Sequence, residues 1–130
     1  MRPDRRDAGP LTLAFLIGLT GCAKGLNYPA DGPRFSGIAP ASAPQTTLRI
    51  VTFNTHFAGK VEEQIELFRS DPELSQADVV VLQEMDEANV ARIAEALGLN
   101  YVYYPATFHP VTKANFGNAI LARWPIEDDR

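Results

Sequence analysis

Leu48-Arg49-Ile50-Val51-Thr52-Phe53-Asn54 and Asp78-Val79-Val80-Val81-Leu82-Gln83-Glu84 decide how this 130-residue chain reads. Each is an apolar, β-branched run that ends on an oxygen-bearing side chain. Thr47–Phe53 alternates polar and apolar residues, with Leu48 and Ile50 on one face, and predicts a strand. The continuous run Val79–Leu82 predicts a strand covered on both faces. Laid parallel, the two strands bring Asn54 and Glu84 to one rim of a sheet. A carboxamide beside a carboxylate is what a hard divalent cation such as Mg²⁺ needs.

Working outward, Lys60–Ser70 predicts a helix with Val61, Ile65 and Phe68 on one stripe. Asp71-Pro72 ends it, because proline disfavours helical geometry in the residue before it. Asp86–Leu97 predicts a second helix with Val90, Ile93, Ala94 and Leu97 on its apolar face, and Gly98 as its C-cap. Tyr101–Tyr104 is expected as a third strand, Pro105–Phe116 as a long irregular loop, and Gly117–Arg123 as a fourth strand. Strands alternating with helices point to an α/β domain with parallel neighbours. Ligands of such sheets sit beyond the carboxyl ends of the strands, where Asn54 and Glu84 both fall.

The chain has room for one domain. Hydrophobic residues at 45% and charged residues at 22% exclude a disordered chain. Without residues 1–21 it carries 9 basic against 14 acidic residues, a net charge of −5. Such a surface does not attract polyanions over distance, so a nucleic acid would need a local basic spot or a metal.

Cys22 is the only cysteine, which excludes an internal disulfide. It follows a basic start (Arg2, Arg5, Arg6) and the short apolar stretch Leu11–Leu19, which is too short for a permanent membrane span. Leu19-Thr20-Gly21-Cys22 resembles the lipobox of bacterial lipoprotein signal peptides. On that resemblance residues 1–21 are a signal peptide and Cys22 is the lipidated first mature residue. The protein would then be held at the cell envelope, on the outer membrane, in the periplasm or on the extracellular face. A cytosolic tail with an idle cysteine is the competing reading. Residues 22–46, with Pro29, Pro33, Pro40 and Pro44, are expected to form a tether. Residues 47–130 are expected to form the domain.

Arg49–His56, Val80–Glu84 and Gly117–Ile126, in that order, resemble the beginning of the endonuclease/exonuclease/phosphatase superfamily. The resemblance implies the N-terminal half of a DNase I-like four-layer α/β/β/α sandwich, in the order β-α-β-α-β-β. It implies phosphoester hydrolysis with Mg²⁺ or Mn²⁺, Glu84 as the metal's carboxylate and Asn54 beside the metal and the scissile phosphate. The substrate (nucleic acid, phospholipid or sugar phosphate) is left open, and no obligate protein partner is evident.

His56, Lys113 and Asn118 are further candidates for substrate contact. Their plainer readings are a loop histidine bonded to backbone, a solvated loop lysine and a strand-end cap. His109 reads in the same way as Lys113. Gln83 is expected to be structural and to face away from the ligand, Gly117 to serve backbone geometry, and Arg123 and Trp124 to mark a strand end. The Asp-x-Asn pair and the terminal Asp-His that the resemblance implies do not occur after residue 100. The chain is therefore expected to be the N-terminal part of a longer hydrolase, with little or no activity of its own. A non-enzymatic envelope lipoprotein with a binding or scaffolding role is the alternative. A flavodoxin-like or receiver-like domain is disfavoured by the signal sequence and by the lack of a Gly-rich phosphate loop.

Overall fold

The computed structural model describes residues 26–40, 42–43 and 46–129. Leu11–Leu19 and Cys22 lie outside the described residues. The elements are β1 (Leu26–Asn27), β2 (Phe35–Gly37), β3 (Ile50–Asn54), α1 (Val61–Ser70), a 3-10 turn (Leu74–Gln76), β4 (Val79–Met85), α2 (Glu87–Leu97), β5 (Asn100–His109) and β6 (Ala114–Ala122). From β3 onward the order is the expected β-α-β-α-β-β.

Both helices form for the reasons their sequences suggest. Val61, Ile65 and Phe68 give α1 its buried stripe. Asp71 stops it in an extended conformation, and its carboxylate accepts the N–H groups of Glu73 (2.8 Å) and Leu74 (2.9 Å), starting the 3-10 turn. In α2, the N-cap Asp86 accepts the Asn89 N–H at 2.9 Å, and Val90, Ile93 and Ala94 are buried. Gly98 caps its C-terminus at φ 65°, a left-handed conformation suited to glycine.

The strands form one sheet in the order β1-β5-β6-β4-β3, with β2 also paired to β5. Among the described residues only β3 and β4 are parallel; the other pairings are antiparallel. The expectation of parallel neighbours is thus corrected for β5 and β6. They are joined by a tight turn at 110–113, which permits only an antiparallel pair.

The loop expected over Pro105–Phe116 is instead the two arms of this hairpin. Proline ordinarily argues against a strand interior. Here the register slips between Pro105 and Thr107, so the missing N–H falls at an irregularity in the ladder. Gly117 makes the slip possible, since a Cβ at that position would lie 2.2 Å from the Tyr104 carbonyl oxygen.

The tether expected over 22–46 is also partly sheet. β1 pairs with Thr107 and Phe108, and β2 with Tyr101–Tyr103, so the segment covers the outer edge of β5. The Phe35 ring packs 5.8 Å from that of Tyr103, whereas Ile38 stays exposed.

The helices cover one face of the sheet. Val80, Leu82, Met85, Tyr103, Ala119 and Leu121 form the core with the apolar stripes of α1 and α2. The opposite face leaves Ile50, Tyr104 and Ile120 exposed. The described residues therefore make a helix layer and a sheet layer of an α/β fold. At the amino ends of β3 and β4, the buried Asp78 accepts the Arg49 N–H at 2.7 Å and lies 3.3 Å from Arg123 Nε. Arg123 also donates to the carbonyls of Ala77 and Ser75, a strand-end clamp of the kind expected for it.

Candidate functional site at the carboxyl ends of β3 and β4

Val80 and Leu82 point into the core, so strict alternation would bury Glu84 beside them. A β-bulge prevents this. Leu82 pairs with Ala119 but Met85 pairs with Gly117, so one extra residue is accommodated in β4. Glu84 takes up the difference at φ 61° and Met85 fills the core position with no exposure. The carboxylate is thereby turned out to the rim, where Oε1 accepts Asn54 Nδ2–H at 2.9 Å. The strands are parallel there, with Asn54 opposite Gln83. The expected convergence of Asn54 and Glu84 is a direct hydrogen bond.

The loop after β3 closes over this pair. Asn54 Oδ1 accepts the His56 N–H at 2.8 Å, and Glu84 Oε2 accepts the Phe57 N–H at 3.1 Å. His56, Phe57, Ala58 and Lys60 all have left-handed backbones, each costing about 1–2 kcal/mol for a non-glycine residue. Contacts from both sides hold the loop in place. Gln64 of α1 donates to the carbonyls of Thr55 (3.1 Å) and Gly59 (2.6 Å).

Thr55 and Tyr103 were not singled out in the sequence, yet both grip the bulge. The buried Thr55 hydroxyl reaches the carbonyls of Gln83 (2.8 Å) and Glu84 (3.1 Å). Tyr103 donates to the Met85 carbonyl at 2.9 Å, and burial pushes its phenol well above the ordinary value, with the Glu87 and Asp86 charges adding to the shift. A signal for the bulge was present in the sequence: a charged Glu84 occupies the core phase of β4, and apolar Met85 follows it one position late.

The other candidates divide. His56 joins the site through its backbone, while its ring stands edge-on to Phe57 at 5.8 Å. Gln83 bonds Thr52 Oγ1 and the Val81 carbonyl, so its contacts are internal to the sheet. Asn118 lies in β6 opposite the two-residue bulge and lines a cavity of about 700 Å³ on the open sheet face with Tyr104, Ile120 and Asp129. Lys113 is exposed in the hairpin turn, with its N–H on the His109 carbonyl. His109 Nδ1 accepts the Thr112 N–H at 3.2 Å, and its ring lies 5.7 Å from Phe57 and 6.1 Å from Phe116. The hairpin therefore leans aromatic rings against the Glu84 loop, and neither Lys113 nor His109 bonds the Asn54–Glu84 pair.

One carboxylate and one amide make a sparse donor set, and no group of three His, Cys, Asp or Glu that could hold a metal occurs among the described residues. That set suits Mg²⁺, which keeps several waters and takes one or two carboxylates together with substrate phosphate oxygens. Glu84 accepts two hydrogen bonds, and a carboxylate has about four lone-pair sites, leaving room for a cation.

No curated protein and no solved structure matches the chain. The sequence model of the Endonuclease/Exonuclease/phosphatase family matches residues 51–130, from β3 through β6 and beyond. With that match over more than half of its length, the chain belongs to the endonuclease/exonuclease/phosphatase family.

Proposed function

We propose that this protein is a phosphoester hydrolase whose metal, Mg²⁺ or Mn²⁺, is held by Glu84 with Asn54 beside it. The family is hydrolytic in general. The observation that carries the finer reading is the 2.9 Å contact of Asn54 Nδ2 with Glu84 Oε1 at the carboxyl ends of two parallel strands. When bound, the ion supplies Lewis-acid stabilisation of a phosphoryl oxygen. Glu84 contributes the anionic ligand. Asn54 fixes the carboxylate's orientation through Nδ2, while its Oδ1 holds the His56 N–H. Lys113 on the hairpin and Asn118 on the neighbouring strand are the residues proposed to meet the substrate.

The substrate class is a phosphoester of a nucleic acid, a phospholipid or a sugar. An acidic chain weakens the case for a nonspecific nuclease. Envelope anchoring through Cys22 belongs to the same proposal and favours lipid or envelope substrates. No helix among the described residues is long and apolar enough to cross a membrane. The exposed Ile50, Tyr104 and Ile120 support packing of a second sheet on the open face, which would complete a four-layer sandwich. Metal binding tests this reading at the residues that carry it.

Titration with Mn²⁺ should show one saturable site that Glu84→Gln abolishes. Equal binding by the parent and Glu84→Gln would remove the metal assignment and favour a scaffolding lipoprotein.

A further inference from the structure

We propose that Thr55 is the positioning residue for Glu84: its hydroxyl fixes the β-bulge that turns the carboxylate to the rim. The inference rests on the reading of Glu84 as a metal ligand. Glu84 is not a residue that adopts a left-handed backbone of its own accord, and no glycine or asparagine stands at the bulge to make it easy. Something must hold the two peptide groups of the bulge, Gln83 and Glu84, which together stand opposite Asn118. The Thr55 hydroxyl spans both of their carbonyls, Gln83 at 2.8 Å and Glu84 at 3.1 Å, and the Thr55 N–H donates to Gln83 again at 3.1 Å.

The same hydroxyl oxygen accepts the Ala58 N–H at 3.3 Å. Thr55 therefore ties the bulge to the loop that delivers the Phe57 N–H to Glu84 Oε2. One buried group thus sets both the backbone on which the carboxylate stands and the donor that orients it. Tyr103 grips the far side of the bulge at Met85, past the residue that matters, and has no contact with the loop among its bonds. Threonine suits the role because its methyl fills the buried site while its hydroxyl donates and accepts at once. Partners that orient a ligand from behind typically carry a large share of metal affinity.

Three forms of the 130-residue chain test this: the parent, Thr55→Val, which keeps the shape and loses the hydroxyl, and Thr55→Ser, which keeps the hydroxyl. Mn²⁺ affinity, read by electron paramagnetic resonance, should fall by about 10- to 100-fold in Thr55→Val and remain parental in Thr55→Ser. Amide hydrogen exchange gives a readout that needs no metal. Phe57 and Ala58 should exchange faster in Thr55→Val while the core amide of Leu121 keeps its protection.

Parental affinity in Thr55→Val, or unchanged exchange at Phe57 and Ala58, overturns the proposal. Should Leu121 lose protection as well, Thr55→Val has unfolded and Thr55→Ser decides: parental affinity supports the hydroxyl's role, and weakened affinity assigns the effect to the methyl and overturns it. A parent that binds no Mn²⁺ would sink the ligand reading of Glu84, and the exchange comparison would then decide the positioning of its backbone.

Discussion

Two carboxylates stand at opposite ends of β4, and their surroundings differ in almost every respect. Asp78, at the amino end, is 2% exposed, bonded to the Arg49 N–H and paired with Arg123, on a backbone free of positive φ. Glu84, six residues later, is half-buried, sits on a left-handed backbone and faces a loop containing four more left-handed residues. The first end joins β3 to β4 and contributes stability. The second holds polar groups at the surface at a conformational cost, which is the usual signature of a site shaped for a ligand rather than for stability.

The largest effect that would test this contrast is the loss of Asp78. Asp78→Ala removes the acceptor for a backbone N–H and leaves Arg123 without its anion. It should lower unfolding stability by about 3 kcal/mol in a urea titration, at the lower end for breaking a buried pair because Arg123 is partly exposed. Mn²⁺ binding by the folded fraction should survive.

Glu84→Gly should do the reverse. Glycine relieves about 1 kcal/mol of left-handed strain. That offsets the hydrogen bonds lost to Asn54 and Phe57, each worth about 1 kcal/mol net. Stability should therefore stay within about 1 kcal/mol of the parent while metal binding disappears. A large destabilisation by Glu84→Gly would make the rim a structural joint like the other end and break the comparison.

The smallest effect concerns acid. Backbone N–H groups of Leu74 and Glu73 hold the Asp71 carboxyl below its ordinary value of 3.8, and the Arg34 side chain does the same for Asp129. A lowered folded-state pKa means that the unfolded chain binds more protons in the window below 3.8. The stabilisation is present above that pH and is lost as pH falls through the folded-state values. Asp71→Asn keeps an acceptor oxygen at the start of the 3-10 turn and should flatten the acid limb of a Tm-against-pH curve slightly. The sensitivity lies away from the rim, so Mn²⁺ binding near neutral pH should not follow it.

The parts of the fold written locally were legible. The stripes Val61-Ile65-Phe68 and Val90-Ile93-Ala94, the Asp71-Pro72 stop and the Gly98 cap each act within a turn or two of chain. The runs ending in Asn54 and Glu84 identified the paired strands. What escaped was set by partners distant in sequence. The strand passing through Pro105 depends on Gly117 across the hairpin, and β1 and β2 exist because β5 offers them an edge. Within the site, Asn54 and Glu84 could be named because a polar residue ending an apolar run stands out. Thr55 could not, since a threonine at a strand end is ordinary until the bulge it grips is seen. The direction of Glu84 was legible only indirectly: simple alternation points it inward, and the one signal against that is a charge in the core phase of β4 with apolar Met85 a position late.

The claim on which the rest depends is that the rim pair, and not another acidic cluster, receives the cation. Substoichiometric Mn²⁺ added to ¹⁵N-labelled protein tests it directly by paramagnetic broadening. The account predicts that the Asn54 side-chain amide and the backbone amides of His56, Phe57 and Glu84 broaden first. Broadening that begins at Asp128 and Asp129, with the Asn54 amide still sharp, would contradict it.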